Sequence, residues 1–426
     1  MKSIGLFLLI MCGCCANAAA DLYSALQYVY NENPVIDQER DTLRIAQADI
    51  KSATTGLQPY LGLVGNVGTA RTKIDEYTFD YSTSQYGVEF QQNLFQGGAN
   101  FAKIKGAQNK LAAQKANLYA VQQEVFLDAI NAYIEVLNAQ EVLKLNKSNQ
   151  NVLTQYYKLV RDRQSIGMLT KTDVSQAYAR LEMANYHLAD AQAQYDNAQE
   201  TFRRIYGRTE SEYVEINLSS IMDLFPESID AAQKDAVQNH PVLLALNAQE
   251  KAASQNIKVA YSSMLPSVDV RGSIQQIDDV PFLDDVRDSR IGVYLKVPLY
   301  DKGNALANTD ITRANVAVIQ DKIINARRVI YENLYRAWNI YSAQDVAIRA
   351  AKASIDANVR ALDGIRDEQL NGKRTVLDVL NAEQELLNSR VAHARARHAR
   401  ISAFFSVLAA VGNLTPENLG LEIYEN

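Results

Sequence analysis

The sequence predicts an α+β membrane protein, in which a duplicated repeat supplies four β-strands and pairs of long, coiled-coil-like helices. Three observations carry this reading. Blocks of residues recur in order at an almost constant shift. Each copy contains two runs in which apolar and polar residues alternate. Each copy also contains a proline-free stretch far longer than an ordinary globular helix.

The first 20 residues read as a secretory signal, with Lys2 as the positive charge and Ile4 to Met11 as a short apolar core. Ala16, Ala18 and Ala20 then offer small-residue cleavage sites. Cleavage is expected after Ala20, with Ala18 as the other choice. Cys12, Cys14 and Cys15 all lie in this segment. They are read as apolar residues of a discarded leader; the alternative is a lipobox with Cys14 or Cys15 lipidated. The mature chain would then need no disulfide, metal thiolate or thiol nucleophile. No later run reaches the roughly 20 apolar residues of a helical membrane span. The net charge of −6 argues against a nucleic-acid partner.

The first repeat is placed at 21–207 and the second at 241–412, with an insert at 208–240 and a tail at 413–426. Asn33-Pro34 recurs as His240-Pro241 and Pro59 as Pro266, a shift of 207. Beyond them the shift is 205: Leu94, Phe95 and Gly98 recur as Leu299, Tyr300 and Gly303, and Gly207 recurs as Gly412. The change of shift falls between Pro59 and Gly87, which implies a loop there.

Residues 34–57 are helix-permissive and end at Pro59, which cannot extend a helix. Strand patterns follow. Leu61, Leu63 and Val67 alternate with polar or small residues, as do Tyr86, Val88, Phe90 and Leu94. In the second copy Val268, Val270 and Ile274 do so, and then Ile291, Val293, Leu295, Val297 and Leu299. Such alternation gives one apolar and one polar face, and runs of about nine to eleven residues suit a tilted membrane strand. A soluble sandwich is the alternative, but only four strands are present and long helices flank each pair. Polar loops are expected at 72–84 and 277–289. Tyr60, Tyr81, Tyr261, Tyr300 and Phe95 near the strand ends suit interfacial aromatic girdles, or simple packing. Gly62, Gly65 and Gly68 read as small strand residues, since no phosphate-binding lysine accompanies them.

After Gly98 and Gly303, seven-residue spacing signals coiled-coil-like helices: Leu111, Leu118, Val125 and Ala132, then Val316, Ile323, Ile330 and Ala337. The proline-free segments 100–166 and 304–371 would form helices of roughly 100 Å at 1.5 Å per residue. Gly167 and Gly372 end them, and return helices are expected at 170–205 and 375–411. In the insert, Pro226 and mixed short patterns suggest small helices and a strand. Four strands cannot close a barrel, and open edges in hydrocarbon cost several kcal/mol per unpaired group, so closure needs further copies of the chain.

Four segments in order, Gly167–Val174, Gly372–Ala382, Leu408–Pro416 and Gln91–Gly98, resemble the TolC family of outer-membrane efflux and secretion ducts, in the branch serving type I secretion and multidrug export. The likeness runs from about Asp21 to Leu421. It implies a homotrimer with a twelve-stranded barrel in the outer membrane of a Gram-negative cell and a helical tunnel through the periplasm. It also implies docking onto a periplasmic adaptor (membrane fusion) protein and an inner-membrane ABC or proton-driven pump. The duct itself would perform no chemistry and need no cofactor.

The resemblance further implies an aperture closed by polar links between two helical hairpins. Thr172 and Asp173 would lie on one hairpin and Arg374 on the other. Asp378 matches one member of an aspartate ring, whose second position is Asn381 here; the family's latch tyrosine corresponds to Gln369. Helix capping is the other reading of Asp173 and Asp378. His187, His240, His393 and His398 form no metal-binding spacing, no Gly-x-Ser-x-Gly occurs, and acidic residues are spread along helices, so no catalytic constellation is expected. A rival function is a periplasmic coiled-coil scaffold or adaptor without a pore. Adaptors usually carry a single helical hairpin between lipoyl-like β-domains, a pattern not found here.

Overall fold

A computed structural model describes residues 21–423 apart from 209, 211, 220, 281 and 282. The expected signal segment, with its three cysteines, lies outside the described residues.

The duplication is visible in the element boundaries. Helices α1 (Leu22–Glu32) and α2 (Pro34–Thr54) lead into strands β1 (Tyr60–Ile74) and β2 (Tyr77–Gln96), then helices α3 (Ala99–Ser165) and α4 (Lys171–Tyr206). The second pass gives α5 (Ile229–Asn239), α6 (Pro241–Ser262), β3 (Ser267–Val280), β4 (Leu283–Lys296), α7 (Asn304–Leu370) and α8 (Val376–Val411). Both long helices have 67 residues and both return helices 36. Helix α5 stands in the place of α1 at the shift of 207, so the repeated unit begins at Ile229 and not at the expected 241. The rest of the insert holds a short 3-10 turn at Met222–Leu224, and no strand of its own among the described residues.

Two compact units can be described separately. One comprises the described residues of Met1–Pro34, Gln122–Ala232 and Asn333–Asn426; the other is Val35–Val121 with Gln233–Glu332. The first is helical. Its interior holds Tyr133, Phe202, Tyr206 and Tyr213 packed ring on ring, and Phe225 stacked on Trp338 and Phe404. Tyr133 Oη donates to Val214 O at 2.8 Å and accepts from Val214 N at 3.0 Å, which fixes the strap after α4. Burial pushes the Tyr133 phenol up to about 12, so both bonds persist throughout the physiological range.

The second unit contains the sheet, a single antiparallel β1-β2-β3-β4 meander. The strands run for 15, 20, 14 and 14 residues, longer than the expected nine to eleven. The segments expected as loops at 72–84 and 277–289 are mostly strand. The β1–β2 hairpin turns only at Asp75-Glu76, with Asp75 at φ 53°, and in the second copy the ladder extends as far as the pair Val280 and Leu283. Paired polar side chains hold the extension: Arg71 binds Asp80 bidentately at 2.5 and 2.9 Å, and Thr72 meets Tyr81. The two-residue change of repeat shift is accommodated inside this strand extension.

Candidate functional site

Two places carry functional geometry, the faces of the sheet and the turns at the far ends of the long helices. Register decides the first. Leu61 lies opposite Phe90, Leu63 opposite Val88, and Val88 opposite Ile274. Gly272 lies opposite Ile291, Val270 opposite Val293 and Val268 opposite Leu295. Because partners across a ladder share a face, these residues form one apolar surface over all four strands. It is open to the surroundings, with Leu63 87% and Ile291 82% exposed.

The opposite face carries Gln85, Glu89, Gln91, Asp269, Arg271, Ser273, Gln275, Asp288, Arg290 and Lys296. Its polar groups bind one another: Gln85 to Gln275, Asn93 to Asp269 at 2.9 Å, and Arg290 to Asp288 at 2.7 Å. The apolar surface stops near Val67. Beyond it the same face carries Thr69, Arg71, Ser84, Gln276 and Asp278. From Leu61 to Val67 the rise is about 20 Å along the strand at ~3.3 Å per residue. The outer edges of β1 and β4 have no partner strand among the described residues.

Leu94, expected in the apolar row, falls in a register shift between Asn93 and Phe95, and Phe95 takes the place opposite Val268. This bulge lets the strand leave the sheet for α3. Gly97 permits the turn: its φ is 58°, and a Cβ there would lie 2.7 Å from Ser262 O. Asn100 locks the exit by donating to Gly56 O and Asn93 Oδ1 at 2.9 and 3.0 Å.

The helical tips are built twice to one plan. Gly167 and Gly372 end α3 and α7 at φ 78° and 71°, as expected of glycine just past a helix end. Thr170 and Thr375 then cap α4 and α8. Each threonine hydroxyl accepts from the aspartate N–H three residues on at 3.2 Å, and that carboxylate accepts from the threonine N–H at 2.9 Å. These bonds hold the Asp378 carboxyl below the usual carboxylate range. Asp173 and Asp378 are therefore both members of capping boxes.

Arg374 Nε lies 2.8 Å from Glu368 of its own hairpin, which raises the guanidinium pKa further. Among the described residues no bond joins Arg374 to Asp173. Thr172 is exposed in the first turn of α4, and Gln369, half-buried in the last turn of α7, lends its carbonyl to the Gly372 turn at 3.1 Å. Asn381 makes a link between hairpins: its Oδ1 accepts from Arg180 of α4 at 2.7 Å. Sequence reasoning named Asn381 and missed Arg180, because nothing local signals a partner 201 residues away.

Beneath these polar groups the hairpins share apolar contacts. Leu153 and Val160 of α3, Ala177 and Leu181 of α4, and Val376 and Leu380 of α8 form one buried cluster. Tyr156 joins it to a second around Leu362, Val379 and Leu386.

The sequence pattern of the outer membrane efflux protein family matches residues 25–208 and 232–413. Outer membrane efflux protein BepC of Brucella suis is 28% identical over 411 residues, covering 94% of this chain and 87% of the relative. Outer membrane protein TolC of Escherichia coli is 22% identical, covering 94% and 84%. The solved CmeC outer membrane channel of Campylobacter jejuni superposes with a TM-score of 0.83 at 16% identity, covering 92% of this chain and 86% of that one. With the two-faced sheet, the paired long helices and a match to both copies of the repeat, the chain belongs to the outer membrane efflux protein (TolC) family, whose members are outer-membrane transport channels.

Proposed function

We propose that this chain is one third of a homotrimeric outer-membrane duct. In this reading twelve strands close around a wet lumen, and the duct passively carries cargo handed over by a periplasmic adaptor and an inner-membrane ABC or proton-driven pump, in type I protein secretion, multidrug efflux or both. One observation carries the reading: a four-stranded sheet with an apolar face, a polar face and two open edges. Such a sheet is stable in a bilayer only when other copies complete it. The duct does no chemistry of its own, and cargo choice rests with the pump.

The aperture is assigned to the tips, with Thr172, Asp173, Gln369, Arg374, Asp378 and Asn381 around it. Closure would depend on polar links in water, which break and reform at ~0–1 kcal/mol each. Asn381 in place of an aspartate halves the formal charge of the ring, so block by cations is expected to be weaker than with paired acids. The reading is tested by extracting the protein from membranes, then measuring its mass and its conductance in planar bilayers. A trimer that conducts supports the duct; a water-soluble, non-conducting monomer overturns it.

A further inference from the structure

We infer that the start of α3 binds the headgroups of anionic phospholipids in the leaflet on the helix side of the membrane. The inference rests on the duct reading, which places the apolar sheet face in the bilayer. Phe101, Lys105, Gln108, Ala112 and Lys115 are spaced four, three, four and three residues apart, so they share one face of α3. All five are exposed, Phe101 to 68%. The contacts of this helix lie on its other sides: Gly106 faces Ala252 and Gln255 of α6, and Gln114 and Asn117 donate to Glu39 of α2.

Charge identifies the occupant. Residues 99–121 contain Lys103, Lys105, Lys110 and Lys115 and no acidic residue. The segment starts three residues after β2 leaves the sheet, at the end of the apolar strand face. An aromatic anchor followed by lysines whose stems can reach back to a phosphate layer fits an anionic bilayer surface. The second repeat supplies a contrast. Leu306 repeats Phe101 and is 63% exposed, but Asp310 and Arg313 repeat Lys105 and Gln108 and pair at 3.2 Å. The start of α7 thus keeps the apolar anchor and loses the positive charge.

The test uses the full chain. Trp338 is the sole tryptophan, so Trp338→Phe with Phe101→Trp places one fluorophore on the face. In vesicles, brominated phosphatidylglycerol should quench it in preference to brominated phosphatidylcholine. At about fivefold per lysine, the two lysines together should give a preference of roughly 25-fold. It should fall with added salt and vanish in Lys105→Gln/Lys115→Gln, and Leu306→Trp in the same background should show none. Should Phe101→Trp fail to assemble, phosphatidylglycerol retained by the purified native trimer and by Lys105→Gln/Lys115→Gln is compared by mass, with loss in the variant expected. Equal quenching by the two lipids, or a preference that survives loss of both lysines, overturns the inference. So does a conducting Phe101→Trp channel whose fluorescence neither lipid quenches, since a second copy then covers the face. Absence of conductance in the native protein, together with no retained phosphatidylglycerol, overturns the duct reading and this inference with it.

Discussion

At the residue scale, the tips combine capped helix starts with exposed polar links. Arg374 is held within its own hairpin by Glu368, while Arg180 reaches Asn381 across the two hairpins. If Arg374 contributes to closure, Arg374→Ser should raise single-channel conductance several-fold; an unchanged conductance removes it from the gate. A second residue-level consequence concerns His240. Its Nδ1 accepts from Val242 N at 3.3 Å at the start of α6, and burial lowers its pKa from 6.5 to about 4. The unfolded chain therefore takes up the proton first. The contribution is complete above about pH 6.5 and is lost as the pH falls towards 4. By about pH 4.5 the loss is roughly 2–3 kcal/mol. Hydrogen exchange in the first turn of α6 should accelerate over that window. His240→Asn, which caps at any pH, should make exchange there insensitive to acid.

At the scale of elements, the strands were legible only while the apolar residues stayed on the same face. Alternation around Leu63 and Val293 placed them correctly on one face. Beyond Val67 the row of Leu61 and Leu63 turns polar, and the apolar residues Ile74, Tyr77, Phe79 and Tyr81 lie on the other face, so the ladder that runs on to Ile74 breaks the pattern and reads as loop. The Leu94 bulge was hidden because a single register shift leaves composition unchanged. Helices α3 and α7 were legible to within a residue or two, since heptad spacing and two turn glycines marked them. The likeness of α5 to α1 was not, because the repeated part is a small buried face: Leu22, Ala25, Leu26 and Val29 in one, Ala232 and Ala236 in the other. Asp173 and Asp378 were legible as caps from their Thr-x-x-Asp spacing, whereas the Arg180–Asn381 link depends on how distant helices meet. The sheet offers a direct test: Leu63→Lys places a charge on the apolar face and should cost about 2–4 kcal/mol of folding stability in a bilayer. Refolding into lipid vesicles measures it, and a neutral result would mean that this face does not meet lipid.

For the whole molecule, the proposed trimer would close through the open edges of β1 and β4. A cysteine at Leu63, combined in turn with cysteines at Ile291, Val293 and Leu295, should give disulfide-linked dimers and trimers on a denaturing gel. Monomer alone at every position would mean that the edges do not meet between copies. Equal helix lengths in the two repeats have a further consequence. Deleting one residue from α3 would turn everything after it by about 100° and draw it back by about 1.5 Å relative to α7. The two 67-residue spans thus act as matched rulers. Length can drift only in whole-face steps of about seven or eleven residues, and in both rulers together, if the two tips are to stay level.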